Sequence, residues 1–434
     1  MKRRIYQKLS EWKNSADKKP LIIEGARQIG KTYIVNEFAH NEYSNSVYIN
    51  FEMDKNWDTI FENLNPSAII ENIKQISKIN IIPKESLIIF DEVQKSEKAL
   101  NSLKYFCEFE KSIDIIAMGS LLGIAVNRKE YSFPVGKVNI LKMQQLDFEE
   151  FLMAYNESEK VEIIKEHYIK NTPMNEMLHK QLIDLYKLYL FLGGMPEVVK
   201  NYVETKNLQI ARIKQDEIVN TYIRDMTKYN SKADYSKTVM TYNSISVNLA
   251  KENKKFMYST IKKSARAKDY ESATEWIELS GIGKKIYKVN QIKIPLEAYK
   301  DSEMFKFYMN DNGLLGAKAK TRYEEIINED ESFSDFKGGL AENYVMSQLI
   351  ENNDEIYYYK DDKNIEVDFI IKLDGKIIPI EVKSGKRNRS ISLNNYIKKY
   401  NPEYSIRIST KKFGFENAIK SVPLYAVWCI GNVD

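Results

Sequence analysis

Cysteine and histidine are scarce in this 434-residue sequence, which has only Cys107, Cys429 and three histidines, His40 and His167 among them. Two thiols far apart in apolar surroundings suit reduced core residues rather than a disulfide framework. The histidines form no metal-ligand spacing, so a structural zinc site is not expected. No apolar run approaches bilayer length, and the basic start MKRRIYQKLSEWK lacks the continuous apolar stretch of a secretion signal. The expected location is therefore the cytoplasm, with no membrane partner. No stretch is rich enough in Gly, Ser and Pro to read as a disordered arm. The formal net charge is only +4, so the global balance says little about nucleic acid, and local clustering has to carry that question.

What is present organises into seams. Pro20–Gly25, Ser46–Phe51, Ser86–Asp91 and Ile113–Met118 are short apolar runs separated by amphipathic stretches. This pattern predicts a doubly wound α/β domain with a parallel sheet buried on both faces, over 1–146. From 147 to 225 the period turns helical, and Gly193-Gly194-Met-Pro196 ends a helix over Leu182–Phe191; a helical lid is expected here. Over 226–330, three short helices at 245–250, 258–263 and 269–279, then Gly281, Gly283 and a basic strand Lys284–Val289, predict a winged helix-turn-helix. The segment 331–434 opens with a helix around Glu342–Ile350. It then alternates in strand fashion, with the turn Leu373-Asp-Gly-Lys376 between two apolar runs.

Gly25-Ala26-Arg27-Gln28-Ile29-Gly30-Lys31-Thr32 matches the phosphate-binding loop and stands where that chemistry requires, after a buried strand and before a helix. The glycines let the backbone N–H groups curl around phosphate oxygens, and the helix N-terminus adds partial positive charge. Lys31 is expected at the β- and γ-phosphates of ATP, and Thr32 at Mg²⁺. Leu87-Ile-Ile-Phe-Asp91-Glu92 delivers two carboxylates at a strand end. Asp91 is the candidate metal ligand and Glu92 the residue that polarises the attacking water. Ser120 is either a contact to the γ-phosphate or catalytic water, or a serine in a plain turn. Arg128 and Arg224 are the candidates for a transition-state arginine, against a surface or packing role.

With Met118-Gly-Ser120, Phe148-Glu-Glu-Phe151, Leu192-Gly-Gly-Met-Pro196 and Asn310-Asp-Asn-Gly-Leu-Leu315 in the same order, the sequence resembles the AAA-superfamily ATP-binding proteins of bacteria and archaea that carry a C-terminal domain of unknown function. The resemblance covers nearly the whole chain. It implies an AAA-type core with a helical lid, a winged helix and a C-terminal fold similar to the PD-(D/E)XK nucleases; it implies no particular substrate. Gly136-Lys137 stands where similar chains commonly show Gly-Arg, which puts a bidentate arginine role at that point in question.

Asp368 followed by Glu381-x-Lys383 is, as a bare pattern, worth about one chance match in a chain this charged. Its setting gives it weight, because a hairpin across Asp374-Gly375 brings the two carboxylates together and leaves Glu381 and Lys383 on one face. Asp368 and Glu381, with Glu342 from the preceding helix, are candidate Mg²⁺ ligands, and Lys383 the candidate that orients water. The competing reading is a salt-bridged, degenerate site. The basic run Lys383–Arg389 suits a phosphate backbone or a solvated loop. Lys262, Lys263, Arg266, Lys284 and Lys285 are candidate DNA contacts if the winged helix serves DNA rather than protein. The functions in play are thus an ATPase governing a DNA-acting nuclease-like module, and a nucleotide-controlled binding protein. A small-molecule kinase needs none of the extra domains. A homo-oligomer is as compatible with the sequence as a monomer.

Overall fold

The computed structural model describes residues 1–126, 133–229, 232–328, 333–362, 365–385 and 391–433. The chain divides into two units, Lys2–Gln144 with Leu279–Gly281, and Gln145–Glu278 with Ile282–Asp434.

The first unit holds a five-stranded sheet of β1 (Leu21–Glu24), β2 (Asn45–Asn50), β3 (Ser86–Asp91), β4 (Asp114–Gly119) and β5 (Asn139–Lys142) in the order β2-β3-β4-β1-β5. Every pairing is parallel. All residues of β3 and β4 are buried, which is why these strands read as unbroken apolar runs rather than alternating ones. One face packs on a cluster in which Phe61 meets Phe90 edge-on at 5.4 Å and Phe51 meets both. The covering helices start on side-chain caps: Asn65 accepts from Ser67 N at 3.0 Å before Pro66–Ser77, and Ser96 accepts from Ala99 N at 3.1 Å before Glu97–Phe109. Because the strands are parallel, β1, β3 and β4 all end at the same edge, where open α/β sheets bind ligands.

The second unit carries an eight-stranded sheet. Its strands are β6 (Gly283–Val289), β7 (Lys300–Met309), β8 (Ile356–Lys360), β9 (Glu366–Leu373), β10 (Lys376–Val382), β11 (Ser405–Ser409), β12 (Gly414–Glu416) and β13 (Ile419–Pro423). Their order is β12-β13-β11-β10-β9-β8-β6-β7. The β9–β10 pair is the expected hairpin, with Asp374 and Gly375 both at positive φ (47° and 79°), the backbone a two-residue primed turn needs. β10 and β11 are parallel and the Ile391–Tyr400 helix lies between them in sequence. The basic strand expected as a wing is β6, and it pairs with β7 on one side and with β8 on the other. Residues 283–309 thus share one sheet with 356–423. The helix expected at 258–263 is a single 3-10 turn, Tyr258–Thr260. Here the backbone closes tight i→i−3 bonds, Thr260 N to Met257 O at 3.0 Å and Ile261 N to Tyr258 O at 2.9 Å, while Asn248 Oδ1 accepts from Met257 N at 2.9 Å and its amide donates to Thr260 Oγ1 at 2.8 Å.

The Ser334–Leu349 helix is buried from Gly339 onward on all sides. Its polar residues are spent on tertiary bonds: Asn343 Oδ1 accepts from Met309 N at 2.8 Å, Gln348 Oε1 from Phe148 N at 2.8 Å, and Tyr344 Oη donates to Leu424 O at 2.9 Å. Two sequence motifs meet in this unit. Asp311 caps the Asn312–Lys318 helix through Leu314 N (2.9 Å) and accepts from Gly194 N (2.6 Å). The contact needs glycine, since a Cβ on Gly193, at φ +71°, would lie 2.2 Å from Asp311 Oδ1, and one on Gly194 would lie 1.9 Å from Leu146 O. Both cysteines are buried and free.

Candidate functional site

At the end of β1 the chain turns through Gly25 (φ +152°), Gln28 (φ +66°) and Gly30 (φ +92°) into the Lys31–Glu42 helix. A Cβ at Gly25 would sit 2.3 Å from Met143 O, so the loop passes too close to its neighbour for any side chain there. Ala26 and Ile29 are buried and fix the loop from below. Arg3 secures it from outside the motif, donating to Ile29 O at 2.9 Å and Gln144 O at 2.7 Å. Lys31 donates to Gly25 O at 2.8 Å and Ala26 O at 2.7 Å, which places its ammonium inside the curl of the loop. Burial pulls that ammonium down to about 8, against the opposing pull of Glu92 and Asp91. Arg27 pairs with Glu52 at 3.6 Å.

β3 brings the two acidic residues to the same place. Thr32 Oγ1 donates to Asp91 Oδ2 at 3.1 Å, Tyr48 Oη donates to the same oxygen, and Asp91 Oδ1 accepts from Glu92 N at 2.9 Å. A threonine hydroxyl and a carboxylate so close are hard oxygen donors, and they fit a Mg²⁺ that keeps several waters. Glu92 stands at φ +51° just past the strand. Its carboxylate accepts from Gln94 Nε2, and from Ser120 Oγ at 3.3 Å. Gln94 can come this close because residue 119 has no side chain: a Cβ there would lie 2.3 Å from Gln94 Oε1. Ser120 is thus brought to Glu92, and Gln94 and Arg3 are site residues that the motif pattern does not disclose.

Two of the residues proposed from the C-terminal pattern, Glu342 and Asp368, meet at a lysine that no sequence motif singles out. Lys306 of β7 is 1% exposed and lies 3.3 Å from Glu342, 3.2 Å from Glu366 and 3.6 Å from Asp368. Lys254 bonds the other Glu342 oxygen at 2.6 Å, and Tyr308 Oη donates to Glu342 at 3.1 Å. Asp368 Oδ2 accepts from Val382 N at 2.9 Å, and Lys383 pairs with Glu381 at 3.2 Å. Burial alone would raise the Glu342 carboxyl, but Lys306 and Lys254 hold it down at about 2. Asp368 goes the other way, pushed up to about 6 by burial and by the Glu342 charge. Among the described residues no group of three or more His, Cys, Asp and Glu side chains is arranged to hold a metal ion. Lysine ammonium groups stand against each member of the expected trio: Lys306 and Lys254 at Glu342, Lys306 at Asp368 and Lys383 at Glu381.

Of the other candidates, Arg224 is exposed on the Leu208–Tyr229 helix, and Lys137 pairs with Glu108 at 2.9 Å. Lys262, Lys263 and Arg266 are exposed. Lys285 is not: it is buried beside the Phe305 ring, 5.4 Å from the centroid, with Glu278 at 3.8 Å, and so is withdrawn from any phosphate contact. Arg128 and residues 386–389 of the basic run lie outside the described residues.

Residues 17–152 match the AAA domain. The first unit is accordingly a P-loop ATPase domain of the AAA type. Residues 183–325 match a domain of unknown function, DUF8612, and residues 337–427 another, DUF4143. No curated protein matches the chain. Among solved structures, a Walker-type ATPase of Pyrococcus abyssi is 12% identical, with 72% of this chain and 94% of that one covered at a TM-score of 0.46. The ORC1 protein of Aeropyrum pernix, solved with DNA, is 10% identical over 73% and 90% of the two chains at 0.29. The RuvB Holliday junction branch migration motor of Thermotoga maritima is 13% identical over 65% and 88% at 0.31. Among the described residues no helix is long and apolar enough to cross a membrane.

Proposed function

We propose that the chain hydrolyses ATP and uses the nucleotide state to control a nuclease-like, DNA-acting C-terminal module. The observation that carries the ATPase reading is the convergence of Lys31, Thr32, Asp91 and Glu92 at one sheet edge. Thr32 and Asp91 would hold Mg²⁺, which supplies charge neutralisation at the β- and γ-phosphates when bound. Lys31 exchanges its two carbonyl partners for phosphate oxygens. Glu92, held by Gln94 and Ser120, takes the proton from the attacking water.

The DNA-acting reading is supported by order and pairing. A helix (Ser334–Leu349), an antiparallel β8-β9-β10 meander, a second helix (Ile391–Tyr400) and a strand parallel to β10 follow one another, as expected of a nuclease-like core. The exposed Lys262, Lys263 and Arg266 are the candidates in this reading for phosphate contacts. The test is binding of the full chain to duplex, single-stranded and branched DNA across a salt series, with ATP, ADP and no nucleotide. Affinity that falls steeply with salt and differs between nucleotide states supports the reading. Absence of DNA binding in every state sinks it.

A further inference from the structure

The four carboxylates at the proposed nuclease-like site are matched one for one by lysines. Lys306 faces Glu342, Glu366 and Asp368; Lys254 bonds Glu342; Lys360 bonds Glu366 at 2.7 Å; and Lys383 bonds Glu381. Formally the cluster is neutral. A divalent cation entering it would carry uncompensated positive charge into a region where Lys306 is 1% exposed and Glu342 and Glu381 are buried. Isolated charge in such surroundings is costly.

Geometry points the same way. Both oxygens of Glu342 are engaged by ammonium groups, and Tyr308 adds a third donor. Asp368 gives one oxygen to Lys306 and the other to Val382 N. Although β7 is the edge strand of the sheet, the Lys306 side chain is buried within the fold, with its ammonium 5.2 Å from the centre of the Tyr358 ring. Glu381 Oε2 is buried with no hydrogen-bond partner among the described residues, and one free oxygen falls well short of the octahedral set Mg²⁺ demands.

We propose that Lys306 is a fixed internal cation standing where a divalent metal would bridge Glu342 and Asp368, so that the C-terminal module engages DNA without cutting it. The inference rests on the nuclease-like reading of this module, and its test separates the two. The ammonium ties β7 to β9 and to the Ser334–Leu349 helix permanently, where a metal would do so only when loaded. The lysine thereby makes the cluster part of the fold and removes the Lewis acid that would activate water.

The experiment is Mn²⁺ binding by electron paramagnetic resonance, without nucleotide, on full-length protein carrying Asp91→Asn so that the ATPase carboxylate does not contribute. The expected result is no bound Mn²⁺, and one equivalent gained when Lys306→Ala is added, lost again with Asp368→Asn. Lys306→Arg, which keeps the charge, should gain none. Mn²⁺ bound with Lys306 in place and released by Asp368→Asn would overturn the proposal. So would a folded Lys306→Ala protein that binds none. If Lys306→Ala does not fold, the protein retaining Lys306 still decides, together with incubation of duplex, single-stranded and branched DNA in Mg²⁺ or Mn²⁺. Cleavage abolished by Asp368→Ala would refute the inference. Failure of the protein to bind DNA would instead count against the DNA-acting reading and leave the metal result standing.

Discussion

Thr32 Oγ1 and Asp91 Oδ2 lie 3.1 Å apart although 59 residues separate them in sequence. One comes from the first turn of the Lys31–Glu42 helix and the other from the last residue of β3. Parallel pairing brings both to one sheet edge, and that placement turns two separate motifs into one site. Lys31→Ala is therefore expected to abolish tight ATP binding, whereas Glu92→Gln keeps binding and stops turnover. Equilibrium titration with a fluorescent nucleotide and a phosphate-release assay read the two separately. Wild-type turnover by Glu92→Gln would remove Glu92 from its role.

Gln94 donates to the Glu92 carboxylate, which makes it a positioning residue in the proposed ATPase site. Replacing it with Ala removes a donor that, with Ser120, holds the carboxylate, and the expected loss in kcat is about tenfold or more, with little change in KM for ATP. The distinguishing measurement is the double variant. Added to Glu92→Gln, the Gln94→Ala change should cost no further turnover, while a general structural defect would add its own loss.

The burial that pulls Lys31 down to about 8 gives ATP binding a pH dependence of definite sign. Phosphate favours the charged ammonium, so binding takes up a proton above that value. Affinity should fall as pH rises from 7 to 9, by at most about tenfold per unit beyond the midpoint. Calorimetry in buffers of different ionisation enthalpy would show the uptake. A flat profile would mean that Lys31 does not bear the charge.

Asp311 offers a stability test in the second unit. Asp311→Asn leaves one acceptor for the helix cap but turns an amide toward the Gly194 N–H, and should destabilise by about 1–3 kcal/mol. Burial raises the Asp311 carboxyl to about 6, so its favourable contribution is complete below the unfolded value and is lost as pH rises through about 6. The advantage of the wild type over Asp311→Asn in urea unfolding should therefore be larger at pH 4 than at pH 7. An advantage that grows with pH would contradict the assignment.

The sequence alone determined the ATPase loop, because its function resides in contiguous backbone conformation: Gly25, Gly30, Lys31 and Thr32 need no distant partner to be recognised. Asp91 and Glu92 were legible for a similar reason, as carboxylates at the end of an unbroken apolar run. The β9–β10 hairpin was written in Asp374-Gly375, whose positive φ angles select the turn. Three things were decided only by tertiary structure. A strand's sequence records its own pleat but not its neighbour, so nothing local shows that β6 pairs with β8. Gln94 and Ser120 meet on Glu92 only because β3 and β4 are adjacent and residue 119 lacks a side chain. Lys306 looks like any other lysine in a chain with many. Its charge becomes informative once the fold buries it among Glu342, Glu366 and Asp368, since only in a low-dielectric interior must every charge have a partner.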